Sequence, residues 1–138
     1  MKISFVGCKE TQVSIFKGLA KALSKRISGL ELSERFVPEI ADLPLVALEC
    51  AKDSDFVFVF AFAESAEQAA YVRDKLIDVE IATETRILKA VVEDELSSAD
   101  ETAYEDSKEE LIKKYADMIV GILFNEREFE PKDKDFSI

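Results

Sequence analysis

The apolar run at residues 56–62, preceded by Asp55, constrains the fold of this chain more than any other stretch. It holds four phenylalanines and two valines, which favour a strand, and it is too short to cross a bilayer. A strand that is apolar on both faces is typical of a parallel sheet with helices above and below. We therefore expect an α/β protein, a three-layer α/β/α sandwich. A ligand would then lie beyond the carboxyl end of this strand, near Ala63 and Glu64.

Hydrophobic periodicity predicts three more strands and four helices in alternation with them. Gly7 is expected to end the first strand in a tight turn, and Gly29 to end the first helix. The second strand has one polar face, which predicts a place at an edge of the sheet. We expect one domain at 1–124 and a charged tail at 125–138, either free or ordered by another subunit. The predicted strands are 2–6, 30–37, 55–62 and 86–92. The predicted helices are 13–27, a short helix that is entered at 41–44 and ends near 51, 65–85 and 107–124.

Composition excludes several classes of function. The 29 acidic and 18 basic residues give a net charge of −11, which disfavours binding to nucleic acid or to anionic membranes. The chain contains no histidine, so Ser-His-Asp triads, Cys-His dyads and histidine-containing zinc sites are excluded. Nothing among its four glycines matches a phosphate-binding loop or a dinucleotide fingerprint. Two cysteines without a secretory leader favour reduced thiols, and we expect a soluble cytoplasmic protein with no membrane segment.

Two local features each allow two interpretations. Glu93, Asp94 and Glu95 follow the fourth strand, and their carboxylates are the ligands that Mg²⁺ prefers. A solvated acidic loop explains the same run. Cys8 follows the first strand, where a thiolate could lie at a helix start, but Lys9 is the only neighbour in sequence that would lower its pKa. A structural, unreactive thiol is the interpretation that the sequence favours at that position.

One segment carries a more specific pattern. Residues 37–44 hold Val37-Pro38 and, after three further residues, Asp42-Leu43-Pro44. This resembles the VPGxxDLP segment of the archaeal-type riboflavin synthases, which are relatives of lumazine synthase. The similarity continues in the same order along most of the chain, at residues 55–61, 66–67, 93–95 and 122–124.

The resemblance implies a four-stranded parallel sheet of lumazine synthase-like, flavodoxin-like connectivity in a homopentamer, or in a decamer of two pentamers. It also implies the dismutation of two molecules of 6,7-dimethyl-8-ribityllumazine to riboflavin and a ribitylaminouracil at a subunit interface. On that pattern the lumazine ring would lie along the backbone of Val37 and Pro38, and Asp42 would accept hydrogen bonds from ribityl hydroxyls. No cofactor is expected to be required, with Mg²⁺ as the one candidate ion and no metal ligands assigned. The predicted substrate-binding residues are Cys8, Lys9, Thr11, Val37, Pro38, Glu39, Asp42, Ala63, Glu64, Glu93 and Asp94.

The chain departs from the family at two kinds of position. Glu39 replaces the glycine that follows Val-Pro, and the histidines of the family are absent. One alternative is therefore a non-catalytic oligomeric relative that binds a flavin or pterin-like ligand. Another is a divergent lumazine synthase, although that enzyme's second substrate carries a phosphate and no glycine-rich or basic cradle is visible here.

Overall fold

The described residues form alternating strands and helices. The computed structural model describes residues 1–9, 15–93 and 101–124, with the side chains of 101–106 outside that description. The strands are β1 (Lys2–Cys8), β2 (Glu31–Val37), β3 (Phe56–Ala63) and β4 (Arg86–Glu93). The helices are α1 (Phe16–Arg26), α2 (Leu43–Ala51), α3 (Ala66–Thr83) and α4 (Glu101–Phe124), with a 3₁₀ turn (Ile40–Asp42) before α2.

All four strands are parallel, and they lie in the order β2-β1-β3-β4. This is the order of the first four strands in flavodoxin-like doubly wound sheets, whose topological switch point lies between β1 and β3. The prediction of an α/β sandwich with a four-stranded parallel sheet is confirmed. So is the edge position of the second strand.

The phenylalanine-rich strand β3 separates two hydrophobic cores. Its even-numbered residues, such as Phe58 and Phe60, pack with α1 and α4, while Val57 and Val59 pack with α2 and α3. Phe58 is fully buried. The alternation of large rings on one face and smaller side chains on the other explains why a run that is apolar throughout forms a strand with helices on both sides.

Two predicted boundaries are wrong. Gly7 does not end β1 in a turn: it lies inside the strand, which continues to Cys8, and Gly29 is the only described glycine with a positive φ, of 69°. A Cβ atom at Gly7 would lie 2.8 Å from Cε2 of Phe16, so the position needs glycine for close approach of a ring. Helix α4 begins at Glu101 and not at Ser107, so the serine lies inside the helix.

The two edges of the sheet differ in how their outward backbone groups are satisfied. On β4, Ile87 N–H donates to Glu80, Ile87 C=O accepts from Lys89 Nζ, and Val91 C=O accepts from Arg73. On β2, the bonds from Glu31 N–H to Met1 and from Lys9 to Val37 C=O show that odd-numbered residues face β1. The backbone groups of 32, 34 and 36 therefore face outward, and no residue in the described ranges bonds to them. Side chains cover the β4 edge, whereas the β2 edge is open as far as the described part of the chain goes.

No helix in the described ranges combines the length and the apolar character needed to cross a membrane.

Candidate functional site

The carboxyl ends of the four strands lie side by side along one edge of the sheet. In register, Val37 pairs with Cys8, Gly7 with Phe60, and Ala63 with Glu93, so β3 and β4 extend beyond β1 and β2. Adjacent strands lie about 4.8 Å apart, so the line from β2 to β4 is about 14 Å long. The sheet thus brings the predicted residues on the ends of β1, β2, β3 and β4 to a single edge.

The segment after β2 is held against the end of β1. The backbone N–H of Lys9 donates to Val37 C=O at 2.9 Å, and Sγ of Cys8 lies 3.8 Å from Pro38 C=O. The side chains of Cys8 and Val37 are buried, whereas Pro38 and Glu39 are exposed. Cys8 was expected in a loop that faces the site, but it is the last residue of a strand and its thiol packs in the core. A ligand at this corner would meet backbone and the exposed ring of Pro38.

Asp42 lies where the 3₁₀ turn passes into α2. Its N–H donates to Glu39 C=O at 3.0 Å, and Pro44 occupies the first turn of the helix, as proline can without loss of a hydrogen bond. Asp42 is the N-cap residue, yet its side chain makes no capping hydrogen bond, and the residue is half-buried. No residue in the described parts of the chain bonds to this carboxylate, which leaves its oxygens as acceptors for a ligand.

The turn between β3 and α3 is short and closed by side chains. Ser65 is the N-cap of α3 and accepts from Gln68 N–H at 3.1 Å, while Oε1 of Gln68 accepts from Glu64 N–H at 2.8 Å. This reciprocal arrangement satisfies backbone donors at the helix start. Ala63 is buried and Glu64 is exposed. The turn therefore presents the side chain of Glu64, and Ser65 and Gln68 are occupied in capping.

Carboxylates dominate this edge of the sheet. Glu39, Asp42, Glu64 and Glu93 form no ion pair with any residue in the described ranges, and Lys9 is the one predicted site residue with a positive charge. The same ranges hold no group of three acidic or cysteine side chains placed to bind a metal. Thr11, Asp94 and Glu95 lie outside the described residues. Such an edge favours hydrogen-bond donors over phosphate groups.

Glu93 lies at the β4 end of this edge, opposite the Asp42 corner, and lines a cleft. A cleft with a volume of about 390 Å³ lies between the ends of β3 and β4 and the helix α4. Sequence reasoning placed Tyr115 only on the apolar face of the last helix and did not identify this cleft, because nothing local in the sequence brings β4 beside α4. Its lining includes Phe62, Val92, Glu93, Glu110, Lys114 and Tyr115.

Comparison of the chain with known protein families and with curated proteins found no match.

Proposed function

We propose that the protein binds a ribityl-bearing lumazine or flavin at the carboxyl edge of its sheet. The observation that carries the proposal is the carboxylate of Asp42, which caps no backbone group and belongs to the 3₁₀ turn that follows Val37 and Pro38 in the chain. Ribityl hydroxyls are hydrogen-bond donors that a carboxylate accepts well, and the pteridine ring would lie along exposed backbone and Pro38. This corner is next to the switch point between β1 and β3, where ligands of doubly wound sheets bind.

The reaction that we propose for this site is that of riboflavin synthase. One dimethylribityllumazine transfers a four-carbon unit to a second, and the atoms of the two substrates equal those of riboflavin plus the ribitylaminouracil. No external oxidant or reductant is therefore needed. Such a reaction depends strongly on holding two rings in register, an effect that contributes up to roughly 7–11 kcal/mol without a dedicated nucleophile. On this proposal, the positioning of two rings takes the place of the histidines that the chain lacks.

The acidic edge and Glu39 also bear on the two alternative functions, a lumazine synthase and a non-catalytic relative. A lumazine synthase must hold a phosphate-bearing substrate, and four carboxylates without ion pairs among the described residues oppose a phosphate. A non-catalytic flavin-binding or pterin-binding relative needs the same Asp42 corner but no second ring. It is favoured by Glu39, whose side chain is exposed directly after Pro38, where a bulky acid would crowd a second ligand.

We propose further that the chain assembles into a homo-oligomer through the open edge of β2. The outward backbone groups of 32, 34 and 36 offer a row of donors and acceptors to a second copy, whereas the β4 edge is covered by Glu80, Lys89 and Arg73. A contact that uses different surfaces on the two copies closes into a ring when the rotation between neighbours is a whole fraction of a turn, as a pentamer with shared sites requires.

Incubation of the purified protein with 6,7-dimethyl-8-ribityllumazine tests the reaction. Appearance of riboflavin fluorescence supports the synthase. Saturable binding of the lumazine without riboflavin would replace the synthase with the non-catalytic relative. Absence of both binding and product would reject the site at Asp42.

A further inference from the structure

Helix α1 carries a basic face in a chain with a strongly negative net charge. Lys17, Lys21 and Lys25 recur at every fourth position, so they lie on one side of the helix over about 12 Å. All three are exposed, and none forms an ion pair with a residue in the described ranges. The helix contains no acidic residue, whereas the whole chain has a net charge of −11. This face therefore attracts acidic surfaces.

Helix α3 carries a surface of complementary charge. Its solvent side exposes three acids, Glu67, Asp74 and Asp78, and two large side chains, Tyr71 and Ile81, that are 61% and 73% exposed. Along the chain these five residues are separated by four, three, four and three positions, which is the spacing of a helix face that packs against another helix. The outer face of α3 is thus an acidic stripe with exposed apolar groups in it.

The ring of Tyr71 already lies against one lysine. The ammonium of Lys75, one turn further along α3, lies 5.5 Å from the centroid of the ring. The face of an aromatic ring attracts cations, so further ammonium groups near Tyr71 are favoured. The aliphatic stems of lysines can also cover an apolar side chain such as Ile81 while the ammonium groups stay in water beside carboxylates. A helix face made of lysines therefore suits both the acids and the apolar groups of α3.

The two faces cannot meet within one chain, but they can meet between two copies. Helix α1 packs on the phenylalanine side of β3, and α3 packs on its valine side, so the sheet separates them. The pair Lys17 and Lys21 and the pair Asp74 and Asp78 are each separated by four positions, about 6 Å along a helix, so both lysines can reach both acids. The net charge of each chain opposes other orientations of approach.

We propose that the lysine face of α1 in one copy docks on the acidic stripe of α3 in a second copy. The contact uses a different surface on each copy, so it continues from copy to copy as a ring or an open stack. Because exposed ion pairs are screened by salt, the contact should weaken as the ionic strength rises. It uses neither the open edge of β2 nor the Asp42 corner, and it stands whether or not those two proposals hold.

Sedimentation velocity of the full chain at two salt concentrations tests the contact. We expect the mean mass to rise with protein concentration in about 20 mM NaCl but not in about 1 M NaCl, where the screening length is about 3 Å. The Glu34→Pro variant, which removes a donor from the β2 edge, should show the same response to salt. A mean mass that depends on concentration equally in both buffers, or in neither, would overturn the proposal.

Charge reversal at two exposed positions assigns the contact to these helices. Asp74→Lys removes one negative charge and adds one positive charge, so the net charge becomes −9 and general repulsion between copies falls. Contact with Lys21 predicts the opposite effect, a dissociation constant that is raised about fivefold to tenfold. Lys21→Glu should weaken association to a similar extent, and the double variant, with a net charge of −11 again, should restore it.

Two results of the charge reversal would each overturn the proposal. One is an Asp74→Lys variant that associates as strongly as the wild type or more strongly, because general repulsion would then govern association. The other is a double variant that is as weak as the single variants, because the two residues would then not face each other. Lumazine binding at Asp42 should be the same in all of these variants, so failure of the ligand site is distinguishable from failure of this contact.

Discussion

Glu80 on α3 accepts a hydrogen bond of 2.8 Å from the backbone N–H of Ile87 on β4, and its second carboxylate oxygen pairs with Lys89. The Glu80 and Lys89 side chains are only 20% and 22% exposed, so both bonds are partly shielded from water. One side chain thus satisfies an outward backbone donor and holds the lysine that covers the next outward carbonyl. The β4 edge is closed by the helix that precedes it in the chain.

Glu80→Ala is therefore expected to lower the free energy of unfolding by about 1–3 kcal/mol, because it leaves Lys89 and the Ile87 donor without their partner. Asp78→Ala is the matched control, since Asp78 is an exposed acid on the same helix. That change should stay within about 0.5 kcal/mol. Urea denaturation measures both, and equal effects at the two positions would contradict the role of Glu80.

Phe58→Ala should destabilise the protein by about 3–5 kcal/mol, the usual range for a core phenylalanine. Phe58 is fully buried, and its ring contacts the rings of Phe5, Phe16 and Tyr115 at centroid distances of 5.9, 6.1 and 5.1 Å. Phe124→Ala removes the same side chain where it is 56% exposed and should cost less than about 1 kcal/mol. A mild effect at Phe58 in thermal unfolding would mean that β3 is not at the centre of the core.

Gly7→Ala is expected to destabilise by about 1–3 kcal/mol, because the new methyl group would lie 2.8 Å from the ring of Phe16. The same substitution at Gly121, in α4, meets no atom within 4 Å and should stabilise the helix by up to about 1 kcal/mol. Differential scanning calorimetry of the two variants gives opposite shifts in Tm if this packing is right. Shifts of the same sign would contradict it.

A comparison of Gly7 in β1 with Phe58 in β3 shows which features of the fold local sequence patterns can predict. Phe58 and its neighbours repeat the same apolar character at every position, so a buried central strand follows from local sequence. The place of Gly7 depends on the ring of Phe16, which folding brings back over β1, and no local pattern contains that contact. Ser107 resembles a helix start in sequence, yet lies within α4, because a Ser-x-x-Glu pattern also occurs where preceding residues are already helical.

The candidate site also has one part that local sequence predicts and another that depends on tertiary packing. Asp42 and Pro44 were predicted at a helix entry, because proline in the first turn is a local rule, and the structure has α2 begin at Leu43. The cleft that Tyr115 lines arises from packing between β4 and α4. Periodicity assigned Tyr115 to the core face of its helix, but it carries no information about which polar atoms on that face find partners.

Glu34→Pro tests assembly through the open edge of β2. The N–H of residue 34 points away from β1, so proline removes a donor that the described residues of the subunit do not use but a paired copy would. We expect the wild type to behave as a ring of several 15.5 kDa chains in light scattering coupled to gel filtration, and the variant as a smaller species. Glu34→Ala keeps the donor and should assemble as the wild type does. A wild type with the mass of one chain would contradict the assembly, and with it the shared site.

The most direct test of the proposed function is a fluorescence titration of the wild type and of Asp42→Asn with 6,7-dimethyl-8-ribityllumazine, with the Tm of each protein measured in parallel. Because the Asp42 side chain caps no backbone group, the two proteins should have closely similar Tm values. Loss of a charge-assisted hydrogen bond of about 1.5–3 kcal/mol should raise the Kd of the variant roughly tenfold to a hundredfold. A wild type that shows no saturable binding, or a variant that loses stability while its Kd is unchanged, would contradict the ligand site at Asp42.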